Sequence, residues 1–292
     1  MRAAIVQNAA RIIADAGVRA RGRQRQVLLS APVATGGERA NRERAAYDEG
    51  GVTERSRAWM SRFHHVLEAP NTRRGEAKWE ALIRETVGRG GRVLDVGSGG
   101  GETARLTLAC GATYVLGIDI SEGSLAGALS TQIPGRLEFR VANAEEPLPD
   151  GPFDLVVGRA VLHHVDLRGL LDRIASTNLA PDGRMLWMEP LAHPLALAFH
   201  KLVRSAHTPD EFPLLPADLR WIRARFPGSS VVPINLVSFP AGAVSSLLFR
   251  SADNRLMRSA DALDRALFRR SSLVPFARQG IIVIPNRAAD DA

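Results

Sequence analysis

The sequence has one cysteine, Cys110, in 292 residues. A disulfide framework needs pairs of cysteines, and a cysteine-ligated zinc or iron–sulfur centre needs three or four, so all of these are excluded. A lone thiol suits a reducing compartment, and a cytoplasmic protein is expected. Lysine is nearly missing too: Lys78 and Lys201 are the only two among 38 basic side chains. Arginine carries the rest, the coding bias of a GC-rich genome. No apolar run approaches the roughly 18 residues that cross a bilayer, so no membrane span is expected. The apolar core of about 7–15 residues that marks a secretory leader is also missing. Internal repeats are absent. With 45% hydrophobic and 24% charged residues, the chain is not collagen-like, mucin-like or wholly disordered.

Acidic residues are scarce only at the start. Residues 1–44 hold nine arginines against Asp15, Glu38 and Glu43, a net +6, whereas the remaining 248 residues carry +1. A nucleic-acid groove needs its excess charge on the folded body, so no nucleic-acid partner is expected. Residues 1–44 read as a basic arm, flexible or helical, with Ile5, Ala9, Ile12 and Ile13 near one helical face. Residues 45–292 form the body.

Within the body, Trp59, Phe63 and Val66 recur at helical spacing, as do Trp79, Leu82 and Ile83. Two helices over 53–87 follow, split at Pro70 and Asn71. From residue 92 short β-branched runs alternate with helical ones: Arg92–Val96, Tyr114–Ile118, Leu137–Val141, Phe153–Val157 and Arg184–Met188. That rhythm is βαβ, a parallel sheet covered by helices. A proline-broken helical insert spans 191–226. Late strands are expected over Val231–Phe239 and Ile281–Pro285, around a helix from Asp261 to Arg269.

The informative segment is Val93-Leu94-Asp95-Val96-Gly97-Ser98-Gly99-Gly100-Gly101-Glu102-Thr103. A strand runs into four glycines and then a helix, so a ligand can approach bare backbone there. Gly99-x-Gly101-x-x-Ala104 also fits a dinucleotide-binding loop, and Asp119 would suit the ribose of either ligand. Other features separate the two readings. Asp95 sits two residues before the first glycine. Asn143-Ala144 follows the third strand. Phe153-Asp154-Leu155-Val156-Val157 leads to Val161-Leu162-His163-His164, and Pro181-Asp182-Gly183 precedes the fifth strand. With these, the stretch 90–190 resembles the class I methyltransferases that use S-adenosylmethionine (SAM).

The resemblance implies a Rossmann-like α/β fold over 45–292, with a seven-stranded, mostly parallel sheet, N-terminal helices and a helical lid insert. It implies SAM as cofactor and a small-molecule acceptor, a bacterial secondary metabolite. By residue, Gly97, Ser98, Gly99 and Gly101 would pass along the methionyl part of SAM. Asp95 would lie near its amino group, Asp119 on the ribose and Ile120 against the adenine. Asn143 would meet the adenine amino group, Ala144 the ring edge, and Arg159 the methionine end. The family often has Asp at position 143; Asn keeps an acceptor without the charge.

Methyl transfer from a sulfonium needs alignment and dryness, and a base only for a protonated acceptor. His164 and Glu189 are the candidate catalytic groups, at the ends of the fourth and fifth strands. Tyr47, Trp59, Phe63, His64, His163, Phe212 and Trp221 are the candidate acceptor contacts, roofing that edge from the lid helices and the insert. His193, His200 and His207 recur every seven residues, roughly 10 Å apart on a helix, too far for one ion; no metal site is expected. The Asn/Asp-Pro-Pro-aromatic turn of DNA amino-methyltransferases is replaced by Arg159-Ala160-Val161-Leu162. A modified-peptide methyltransferase, an NAD(P)-dependent oxidoreductase and a non-catalytic interaction subunit on the same fold stay open as alternatives.

Overall fold

The computed structural model describes residues 36–48, 61–88, 90–148, 151–202 and 211–286. The expected helix over 3–18 and Trp59 lie outside them. The chain divides into two compact units, residues 1–38 and 39–292; the sheet and the site belong to the second. The boundary expected at 44/45 falls inside the first described helix, α1 (Gly36–Asp48).

Helices α2 (His64–Glu68) and α3 (Pro70–Val87) follow. Pro70 and Asn71, read as the break between helices, stand in the first turn of α3. Proline belongs there, because that turn's amide has no helical partner. The sheet begins with β1 (Arg92–Val96), α4 (Glu102–Ala109), β2 (Tyr114–Asp119), α5 (Glu122–Leu129) and β3 (Leu137–Val141). It continues with β4 (Phe153–Arg159), α6 (Leu167–Arg173), β5 (Leu179–Pro190), α7 (Pro194–Leu202) and α8 (Pro216–Arg225). The chain closes with β6 (Ser230–Ile234), α9 (Ser238–Leu248), α10 (Arg255–Leu267) and β7 (Gln279–Pro285).

The strand order is β3-β2-β1-β4-β5-β7-β6. The first five strands are parallel, and β7 runs antiparallel between β5 and β6. Order reverses between β1 and β4, which opens a crevice at their carboxyl ends.

Both faces of the sheet are covered, which is why its strands read as near-continuous apolar runs. Trp79, Ile83 and Val87 of α3, with Leu125 of α5, pack on one face over Val93, Val115, Leu155 and Leu186. Leu170 and Leu171 of α6, with Leu219 and Ile222 of α8, pack on the other over Leu94, Leu116, Val156 and Trp187. Burying each large side chain contributes about 1.5–3 kcal/mol. Within the insert 191–226, α8 is therefore part of this core, and Leu191 bridges to Leu214 beside it.

Residues 235–239, read as the end of a strand, leave the sheet instead. Asn235 takes a left-handed φ of 59°. The buried carboxylate of Asp264 then collects the amides of Leu236 and Val237 and the hydroxyl of Ser238, so α9 begins where the strand was expected to continue. A buried carboxylate with that many donors costs about 3–5 kcal/mol to orphan.

Candidate functional site

At the crevice, β1 ends and the chain turns through Gly97–Gly101 into α4. The φ angles of Gly97 and Gly99 are +66° and +48°, a region that side-chain-bearing residues rarely enter. A Cβ on Gly97 would lie 2.3 Å from Val161 Cγ2, so the loop can close on the β4 turn only there. A Cβ on Gly99 would meet nothing within 4 Å. The space before the loop is open.

Asp119, at the end of β2, ties the loop from the other side. Its Oδ2 accepts the Gly99 amide at 2.9 Å and its Oδ1 the Ser121 amide at 2.9 Å. Burial raises its pKa despite these hydrogen bonds. Asp95 lies behind the loop, fully buried, with Ser98 Oγ donating to it at 2.7 Å. Burial pushes its carboxyl up to about 7.

The open space is a cavity of about 650 Å³. Nine of the expected residues line it: Tyr47, Gly97, Gly99, Asp119, Ile120, Asn143, Ala144, Arg159 and His164. Asp95, Ser98 and Gly101 support the loop from behind rather than facing the cavity. Asn143 turns its Oδ1 to the Glu145 amide at 3.0 Å, and Arg159 pairs with Glu76 of α3.

One wall was foreseen only at Tyr47. Arg39, Glu43 and Tyr47 recur every four residues along one face of α1, and with Asp48 they line the cavity. Arg39 pairs with Glu145. Arg44 Nε donates to the Ile120 carbonyl at 3.2 Å. Asp48 Oδ1 accepts from Ser121 Oγ at 2.5 Å and from the Gly123 amide at 3.2 Å. These contacts strap α1 across the ends of β2 and β3.

The last wall is the turn after β4. Ala160 holds a left-handed φ of 57° without being glycine, and the turn is held from behind by Glu189. Glu189 Oε1 accepts the amides of Val161 and Leu162 at 2.8 and 2.9 Å, and Oε2 lies 2.7 Å from His163 Nδ1. Glu189 is 0% exposed. Its carboxylate is thus spent on the turn and does not reach the cavity, so the acid/base role expected of it does not fit this placement. Glu189→Gln would set an amide NH₂ against these donors. It is expected to destabilise the fold by about 1–3 kcal/mol in denaturant unfolding. Unchanged stability with lost activity would return the group to the chemistry.

His164 faces the cavity. Its Nδ1 lies 3.1 Å from Glu43 Oε2 and its Nε2 3.2 Å from Tyr47 Oη. Burial works against a charge on this ring, but Glu43, Glu211 and Glu189 outweigh it and raise its pKa. Burial, followed by the same carboxylates, raises the Tyr47 phenol. His163 packs at a tilt of 43° against His164, ring centroids 4.1 Å apart, and its Nε2 is 3.8 Å from Glu211. His163, His164 and Glu211 place one ligand atom each within 4.8 Å of one another. His163 Nδ1 is hydrogen-bonded to Glu189 and His164 Nε2 to Tyr47, whereas His164 Nδ1 has only its ionic contact with Glu43.

The remaining expected contacts lie elsewhere. Phe63 is half-buried just before α2, and His64 is exposed, edge-on to His65. Trp221 packs on Phe226 beneath Arg168. The Phe212 amide donates to the His163 carbonyl at 3.3 Å, which places its backbone beside the β4 turn.

A family model described as a methyltransferase domain matches residues 58–228. The chain is similar to the 27-O-demethylrifamycin SV methyltransferase of Amycolatopsis mediterranei, with 37% identity over 101 residues, 33% of this chain and 37% of that protein. It is also similar to the ubiquinone biosynthesis O-methyltransferase of Neisseria meningitidis serogroup C, with 33% identity over 104 residues, 34% of this chain and 44% of that protein. The chain thus spans less than half the length of the curated relatives it matches. Among solved structures it resembles a geranyl diphosphate C-methyltransferase from Streptomyces coelicolor A3(2) in complex with Mg²⁺, geranyl-S-thiolodiphosphate and S-adenosylhomocysteine. The TM-score is 0.51 at 14% identity, over 72% of this chain and 76% of that one. At that identity the likeness speaks for the fold alone.

Proposed function

Because the chain belongs to the methyltransferase domain family, we propose that it transfers the methyl group of SAM to a small-molecule acceptor, a bacterial secondary metabolite. The observation that carries this reading is the glycine loop, open in front at Gly99 and fastened to the carboxylate of Asp119. Glycine backbone and a carboxylate at the next strand end fit the methionyl and ribose parts of such a cofactor. The two curated relatives named above, a 27-O-demethylrifamycin SV methyltransferase and a ubiquinone biosynthesis O-methyltransferase, support the chemistry and the acceptor class.

When bound, SAM supplies a methyl group already activated by a sulfonium. The protein's task is then alignment and exclusion of water, and alignment alone can contribute about 7–11 kcal/mol. Asp119 holds the ribose diol, Ile120 and Ala144 flank the adenine, and Asn143 meets its amino group through the lone pair that Glu145 leaves. Helix α1 roofs the cavity. The acceptor enters between α1 and the β4 turn, where His164 and Tyr47 meet. His164 takes the proton of a protic acceptor at Nε2, relayed through the Tyr47 hydroxyl 3.2 Å away. Its carboxylate neighbours make it a stronger base than ordinary imidazole, while Tyr47 is protonated before and after the relay.

The test is mass spectrometry of a bacterial extract incubated with the pure chain and methyl-labelled SAM. A labelled product and S-adenosylhomocysteine are expected, and His164→Ala should cut turnover while SAM still binds. No labelled product together with no calorimetric affinity for S-adenosylhomocysteine would end the proposal; nicotinamide cofactors titrated alongside test the oxidoreductase alternative.

A further inference from the structure

Helix α9 is inside out. It buries Ser238, Gly242 and Ser245 and exposes Val244, Leu247 and Leu248, which share its outer face at helical spacing. The inner face is small and polar for a local reason. A Cβ on Gly242 would press on Val66 of α2 at 2.8 Å. Ser245 Oγ lies 2.9 Å from His65 Nδ1 and accepts from Asn254 Nδ2 at 2.7 Å. No such reason applies outside. Leu247 and Leu248 are each 63% exposed, Phe249 at the helix end 45%, and Leu67 on the neighbouring α2 43%.

We propose that the outer face of α9 docks on an anionic lipid surface. Charge points that way. Helix α9 carries no acidic residue, and Phe249 runs straight into the exposed Arg250. Asn254 ties the start of α10 to α9, bringing exposed Arg255 and Arg258 to the same end. The acid there, Asp253, pairs with Arg258. Apolar side chains beside arginines are the pattern of a helix lying in the headgroup layer. Area points the same way. The exposed side chains offer roughly 400–500 Å² of apolar surface, enough for a functional patch but short of the about 800 Å² per partner of a stable protein interface. No helix among the described residues is long and apolar enough to cross a membrane, so docking is at the surface.

The experiment is co-sedimentation of the full chain with vesicles of phosphatidylglycerol and phosphatidylcholine, against phosphatidylcholine alone. Binding is expected to the anionic vesicles, weakening with salt. The double variant Leu247→Glu/Leu248→Glu should lose it by about tenfold or more, and Arg250→Glu/Arg255→Glu should lower it and its salt dependence. Unchanged melting would show that the variants fold. The proposal falls if neither vesicle pulls down the chain, or if the leucine variant sediments like the parent. It falls too if light scattering finds a dimer that Leu247→Glu separates, which would assign the face to a second copy. Methyl transfer plays no part in these readouts, so they stand or fall independently of the enzyme reading.

Discussion

Asp119→Ala is expected to weaken S-adenosylhomocysteine binding by about 10–150-fold, the loss of about 1.5–3 kcal/mol of charge-assisted hydrogen bonding. The carboxylate has two tasks. It meets the ribose, and it fastens the loop by accepting the amides of Gly99 and Ser121. Alanine removes both. Asp119→Asn keeps one carbonyl oxygen and should fall between parent and alanine. Calorimetry reads the result directly, and an unchanged Kd for the alanine variant would remove Asp119 from the cofactor site. A pH dependence accompanies it. Burial raises the pKa of Asp119, and that of Asp95 to about 7. A ligand whose ammonium group sits in front of the loop favours ionised Asp95 by charge attraction across the loop, without contact, so its binding lowers that pKa and releases a proton. Affinity is therefore complete above pH 7 and declines as pH falls through it. In Asp95→Asn the decline near pH 7 should vanish.

Local pattern carried the reading of the sheet, and long-range contact limited it. Strand β1 begins and ends where its apolar run does, because both its faces are covered and glycine bounds it, and the edge strand β3 keeps its expected bounds with Leu137 and Phe139 buried and Arg140 and Val141 exposed. Strand β6 stops at Ile234 rather than Phe239 for a reason 30 residues downstream, the Asp264 carboxylate that gathers the amides of α9. No window of sequence around 231–239 contains that acid. The same division runs through the site. Gly97, Gly99, Asp119, Asn143 and Ala144 each follow a strand end, a position legible from alternation alone. Glu189 was legible as a strand-end carboxylate too, but its direction was not: only the fold shows it turned inward to the amides of Val161 and Leu162. Arg39, Glu43 and Asp48 were hidden by composition. In an arginine-rich segment they read as solvated charge, although the spacing of Arg39, Glu43 and Tyr47 is that of one helical face.

Deleting residues 1–44 is expected to cut methyl transfer by at least about 100-fold, whereas a chain beginning at Gly36 should keep it. The charge pattern alone suggests the opposite, since those residues hold nearly all of the net charge and lie outside the glycine motif. The structure puts the first part of α1 on the cavity. The deletion removes the Arg39–Glu145 pair, the Arg44 hydrogen bond to Ile120 and the Glu43 carboxylate beside His164. Ala45–Asp48 alone is too short to remain helical, so Tyr47 and Asp48 lose their positions as well. The roof opens, water reaches the reacting atoms, and a misplacement of about 1 Å at such a site costs about 100-fold. Cofactor affinity should fall far less, because the glycine loop, Asp119 and Asn143 stay in place. Initial rates of label transfer for the two truncations, beside S-adenosylhomocysteine titrations, separate the effects. If the chain from Ala45 folds and turns over at the parent rate, α1 is not a wall of the working site, and the arm ends at residue 44 after all.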